Sequence, residues 1–154
     1  MKNYVIFIVV ALLYTTMSLF SCEGEGNEKK VSTYQGTKSH YTGDDCMTCH
    51  QSGGEGEGWF NVAGTVYKDT LGTNVFPNVT IKLFAAENGN GGEVGVIEVD
   101  GLGNFYTTEN IDFTAGLFPA VMSDNGMKYM STSVNTGRCN SCHGVSTRKL
   151  WIGE

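Results

Sequence analysis

Val79-Thr80-Ile81-Lys82-Leu83-Phe84 decides the fold class. Its odd positions are apolar and its even positions polar until Phe84, the period of two that gives a strand one buried face. Working outward, Phe60-Asn61-Val62-Ala63-Gly64-Thr65-Val66-Tyr67 has strand composition and alternation of the same kind. Residues 68–76 are turn-like, with Gly72 and Asn74, and residues 88–92 form a glycine-rich loop. Residues 94–99 make the next strand, Asp100-Gly101-Leu102-Gly103-Asn104 a tight turn, and Phe105-Tyr106-Thr107-Thr108 a strand that pairs back. Residues 117–122 read as one more short strand if Pro119 sits at a sheet edge, because proline cannot donate to a ladder. Short strands separated by regular turn signals predict a mainly β chain built as a small antiparallel sandwich.

Composition agrees. The 154 residues suffice for one domain plus an export leader, and 21 glycines against 2 prolines suit a turn-rich body. The net charge of −6 argues against nucleic acid as a partner, which needs a basic footprint.

Three short matches give the sandwich a likeness. Val62-Ala63-Gly64-Thr65-Val66, Pro77-Asn78-Val79-Thr80-Ile81 and Asp100-Gly101-Leu102-Gly103-Asn104-Phe105 resemble the opening strand, the second strand and the D-x-x-G-x-F turn of the carboxypeptidase-regulatory or transthyretin-like β-sandwich family. The resemblance covers about forty to sixty residues and implies an Ig-like scaffold without an activity of its own.

On either side of this body stand twin motifs, Cys46-Met47-Thr48-Cys49-His50 and Cys139-Asn140-Ser141-Cys142-His143. C-x-x-C-H is the attachment signature of c-type haem: two thiols meet the two vinyl groups of one porphyrin edge, and the adjacent imidazole turns onto the iron. The expected covalent positions are Cys46, Cys49, Cys139 and Cys142, and the expected proximal ligands are His50 and His143. The cofactors implied are two c-type haems. Zinc is the first rival, but paired C-x-x-C zinc sites usually lie 15–20 residues apart, whereas 89 residues separate Cys49 from Cys139. A thioredoxin-like dithiol is the second, and it would need a βαβ context that neither box has.

The fifth cysteine, Cys22, follows an export leader. Lys2 gives a basic n-region, residues 4–13 an apolar stretch too short for a membrane span, and Leu19-Phe20-Ser21-Cys22 resembles a bacterial lipobox. That resemblance implies lipidation at Cys22, membrane anchoring and an outer-membrane lipoprotein facing the periplasm or the cell surface. The acidic residues after Cys22 resemble the surface-export signal of Bacteroidota lipoproteins. The domain plan is therefore a leader over 1–21, a flexible tether over 22–36, a first haem-binding segment over 37–59, the sandwich over 60–122 and a second haem-binding segment over 123–154. The acidic run Gly53-Gly54-Glu55-Gly56-Glu57-Gly58 lacks the Lys-Ser/Thr end of a phosphate loop. Its glycines suit a close approach to a porphyrin or a sharp turn. Asp69-Thr70-Leu71 resembles an O-glycosylation acceptor, with a plain turn as the alternative.

The sixth iron ligand decides the chemistry. Only three histidines exist, and His50 and His143 are spent as proximal ligands. His40 is thus the one imidazole left for a distal position, and Met130, Met127 and Met122 are the thioether candidates for the other haem. The function expected is one-electron transfer rather than enzymatic turnover, with partner cytochromes or extracellular acceptors. A dihaem peroxidase-like enzyme and a surface binding module with sensory haems, for which Trp59 would be a platform, are the alternatives. With one box before the sandwich and one after it, the two sites are expected at opposite poles, which would call for haem contact between subunits in an oligomer or filament. Arg148 and Lys149 could pair with haem propionates, and Trp151 could pack on a haem edge.

Overall fold

The computed structural model describes residues 27–153, so the leader over 1–21 and the lipidation expected at Cys22 lie outside the described residues. Seven strands are described: β1 (Val62–Thr65), β2 (Thr80–Phe84), β3 (Glu93–Glu98), β4 (Asn104–Thr107), β5 (Phe118–Ser123), β6 (Gly126–Tyr129) and β7 (Gly137–Arg138). They form a three-stranded sheet in the order β4-β1-β7 and a four-stranded sheet in the order β3-β2-β5-β6. The mainly β sandwich expected from the alternation is the fold observed.

The register follows from burial. Ile81 faces Ile97 on one neighbour and Val121 on the other, and these three with Val79, Leu83, Val62, Val66, Val99 and Phe105 fill the space between the sheets. Lys82 and Phe84 take the opposite face by simple alternation, where Phe84 leans on Tyr129 with ring centroids 6.1 Å apart. The Asp100 turn carries the chain from one sheet to the other. The Asp100 carboxylate is 1% exposed, and its Oδ1 accepts the N–H groups of Leu102 (2.9 Å) and Asn104 (3.0 Å). Gly103 adopts φ +81°, a left-handed conformation suited to glycine. Asp69 similarly collects the N–H groups of Leu71, Thr73 and Asn74, so it closes a turn.

Four expectations change. Pro119 is not on an edge strand: β5 pairs with β2 and β6. It is tolerated because Met130 N–H donates to the Pro119 carbonyl (2.9 Å), so the side that lacks the proline donor is the one where β6 runs out. The strands continue past residue 122, with β6 and β7 lying in the stretch read as a second haem-binding segment. The sheets are not wholly antiparallel either, since β7 runs parallel to β1 and the Tyr67–Trp151 bridge extends that parallel contact.

The described part of the tether, residues 27–36, is tied down rather than free. Val31 bridges Thr107 on the open edge of β4, and Ser32 is 5% exposed. Ser32 N–H donates to the Tyr106 carbonyl (2.9 Å), and its hydroxyl to the Glu98 carbonyl (2.5 Å). The segment lacks apolar periodicity because backbone and hydroxyl groups, not apolar side chains, cover the sheet edge.

Candidate functional site

The two C-x-x-C-H boxes fold the same way. Cys46–Thr48 and Cys139–Ser141 each form one 3-10 turn. In the first, Cys49 N–H and His50 N–H both donate to the Cys46 carbonyl, at 3.3 and 3.0 Å. In the second, Cys142 N–H and His143 N–H both donate to the Cys139 carbonyl, at 3.3 and 2.9 Å. Even the leading thiols match: Cys46 Sγ–H lies 3.6 Å from the Asp44 carbonyl and Cys139 Sγ–H 3.5 Å from the Gly137 carbonyl. All four cysteines are free thiols. This turn presents two sulfurs and the following imidazole from one short arc of backbone.

Both imidazoles are pinned at the same nitrogen. His50 Nδ1 lies 3.0 Å from the Glu57 carbonyl and 3.3 Å from that of Gly58. His143 Nδ1 lies 2.9 Å from the Arg148 carbonyl. A carbonyl only accepts, so Nδ1 carries the proton in each ring and Nε2 keeps its lone pair for a metal. The glycine-rich run 53–58 performs this at His50: a Cβ on Gly56 would stand 2.7 Å from His50 Nδ1, so only glycine lets the loop wrap the ring and turn its carbonyls inward. Phe60 stacks on the same ring (centroids 4.1 Å, 9° between planes) and Tyr106 stacks on Phe60 (4.8 Å). Phe60 is therefore an aromatic beside the first box, and the Trp59 backbone is engaged with Asn27.

The boxes are not at opposite poles. Both 3-10 turns pack on β1, and Arg138 donates through Nε to Asp45 Oδ2 (2.8 Å) and through Nη2 to Thr48 Oγ1 (3.2 Å). Asn140, a variable position of the second box, donates to the Asp44 carbonyl (2.8 Å) beside the first. Parallel pairing of β7 with β1 is the cause, because it returns the chain end to the place where residues 43–50 already lie. With it goes the motive for a filament.

Beneath the boxes lies a buried polar network that the motifs do not announce. Thr65 Oγ1 donates to Asn104 Oδ1 (2.7 Å) and accepts from Asn140 Nδ2 (3.1 Å) and Gly43 N–H (3.0 Å). Asn140 Oδ1 takes the Thr65 N–H (3.1 Å), and Asn104 Nδ2 reaches Ser39 and Thr42. The only signal in the sequence is three polar residues at strand positions or inside a motif, where alternation alone gives them no partners. Gly64 adds a steric term, since a Cβ there would stand 2.9 Å from the Cys139 Cβ and 2.5 Å from the Phe105 ring. Burial pushes the Cys139 thiol up to about 12, with Cys46 adding to the effect, and burial raises Cys46 as well. Both stay protonated at neutral pH.

A cleft of about 1090 Å³ opens at the first box, lined by His40, Cys46, Cys49, His50, Phe60 and Tyr106 among others, Lys38 and Lys149 included. His40 is exposed, with its ring centroid 5.8 Å from that of His50. None of Met122, Met127 and Met130 lines this cleft. Met122 and Met127 are cross-strand partners, and alternation turns them to the outer face of their sheet. Met130 lies just past β6, whose Lys128 places its ammonium over the Trp151 ring of the C-terminal tail. Arg148 serves through its carbonyl, and Trp151 takes the Lys128 cation. Among the described residues no three His, Cys, Asp or Glu side chains are grouped to hold a bare metal ion. No protein-family model, no curated protein sequence and no solved structure matches the chain.

Proposed function

We propose that this protein is an exported, lipid-anchored c-type cytochrome that carries two covalently bound haems and moves single electrons. The observation that carries the reading is the twinned turn: two C-x-x-C-H boxes with matching hydrogen bonds, each with its histidine Nδ1 held by a backbone carbonyl. Outer-shell hydrogen bonds of this kind fix tautomer and ring orientation and raise ligand basicity. The donor set fits haem: Cys46, Cys49 and His50 would hold one group, Cys139, Cys142 and His143 the other. Each protonated thiol adds across a vinyl, sulfur to one carbon and hydrogen to the next, with no net oxidation. Haem supplies the one-electron couple, and the chain supplies attachment, ligands and surroundings.

His40 is the distal ligand of the first haem in this reading. The His40 and His50 rings, with centroids 5.8 Å apart, would be the two imidazoles within reach of that iron. The second haem has no such imidazole left, and Met130 would be its thioether ligand. The two irons would then differ in potential, with methionine ligation raising the second, and the couple they supply would serve a partner cytochrome or an external acceptor.

The test is intact mass and absorption on protein matured in a host that attaches c-type haem. Two haem additions are expected, with all four box thiols blocked to alkylation. His40→Ala converts one haem from low spin to high spin, and Met130→Ala the other. A matured chain with four free thiols and no covalent haem overturns the proposal. Unchanged spectra in both variants overturn the distal ligands alone.

A further inference from the structure

The residue just before each box carries a charge, and the two charges are opposite. Asp45 precedes Cys46 at the start of the first 3-10 turn, and Arg138 precedes Cys139 at the start of the second. The two side chains meet: Arg138 Nε and Nη2 both lie 2.8 Å from Asp45 Oδ2, and Nη2 also reaches Thr48 inside the first box. A second tie runs parallel to it, from Asn140 inside the second box to the Asp44 carbonyl. A half-exposed ion pair of this sort adds little stability, and these side chains are 35% and 23% exposed. Its effect is geometric. A guanidinium fork that engages a carboxylate and a hydroxyl at once holds two backbone turns at a fixed distance and angle, which a flexible point charge does not.

The first cysteine that would bond a porphyrin in each box, Cys46 or Cys139, follows directly on this pair. We propose that Asp45 and Arg138 are positioning residues that hold the two haems against each other in one fixed arrangement, so that electrons pass between them inside a single chain. The inference rests on the functional reading above and adds to it a route between the cofactors. It also explains why the chain places its two boxes at one end of β1. A carrier with adjacent, unequal haems takes an electron at one site and releases it at the other without a second copy of itself.

Circular dichroism in the Soret region tests this, because two haems in fixed close contact give a bisignate couplet that isolated haems do not. The matured wild-type protein is expected to show the couplet. Arg138→Gln and Asp45→Asn are expected to lose it while intact mass still records two haems and absorption still records unchanged axial ligation. The reversed pair Asp45→Arg with Arg138→Asp is expected to recover it, a result that a loss of folding in the single variants could not produce. A wild-type protein with two attached haems and no couplet overturns the inference, and so does a couplet that persists in both single variants. Absence of covalent haem in the wild type is a different failure, that of the functional reading itself, and the mass measurement separates the two.

Discussion

Substituting Gly56 by alanine tests the link between a glycine-rich loop and a metal ligand. The Cβ added at Gly56 would lie 2.7 Å from His50 Nδ1, 2.8 Å from Cγ and 2.9 Å from Cε1. Ordinary contact begins near 3.4 Å, so ring and loop must separate by about 0.7 Å. Retreat of the ring is restricted, because Phe60 stacks on it at 4.1 Å. The separation falls on the hydrogen bonds from Nδ1 to the Glu57 and Gly58 carbonyls, now 3.0 and 3.3 Å, which move out of bonding range. Loss of such outer-shell partners costs typically 10- to 100-fold in metal affinity. In the proposed cytochrome the thioethers would keep the haem attached, so the deficit is expected in ligation and potential rather than in haem content. If the weaker donor disfavours the ferric state by that factor, the midpoint rises by about 60–120 mV, at 59 mV per tenfold for one electron. The assay is a spectroelectrochemical titration of the matured protein, which resolves the two haems. The first haem is expected to shift up, with the second unchanged. A Gly56→Ala protein with both midpoints and the low-spin spectrum of wild type would refute the reasoning.

Asn140→Ala removes the acceptor for Thr65 N–H and both donor bonds to Thr65 Oγ1 and the Asp44 carbonyl. Stranding a buried backbone donor costs about 1–3 kcal/mol, so thermal unfolding of the apoprotein should fall by roughly 3–10 °C; an unchanged midpoint would mean the network adds no stability. Thiol alkylation of the folded apoprotein should label exposed Cys49 and Cys142 first. Cys46 and Cys139 should lag and gain rate only at higher pH, Cys139 last, because burial raises both thiols. The same shift has a stability sign. The Cys139 contribution is fully present below its unfolded value of about 8.5 and is lost as pH rises through its folded value of about 12. Alkaline unfolding of the apoprotein that starts at the same pH in Cys139→Ala and wild type would contradict this.

Much of the site is legible in the residues alone. The C-x-x-C-H spacing is local, and a turn that gathers residues i to i+4 forms wherever the backbone permits, so the twin conformation of Cys46–Thr48 and Cys139–Ser141 needs no tertiary information. The alternation at Val79–Phe84 likewise names a strand and its buried face, and Val79, Ile81 and Leu83 are buried. Histidine number is decisive for the same reason: a count needs no coordinates. Other features are hidden because their cause is a partner far along the chain. Ser32 reads as part of a tether, yet its hydroxyl bonds a carbonyl 66 residues away. Met122 and Met127 are ligand candidates by proximity to the second box, and strand parity turns them to the outer face of their sheet.

The amino-acid sequence by itself determined the chemistry on offer: two thiol pairs, two adjacent imidazoles and one spare histidine, set around a chain whose period of two commits it to strands. Tertiary structure decided where those groups meet. Parallel pairing of β7 with β1 brings the second box back beside the first, and a pairing partner is chosen by the packing of the whole sandwich rather than by local pattern. Asp45 and Arg138 are 93 residues apart in sequence, and their 2.8 Å contact exists because the sheets close around one core.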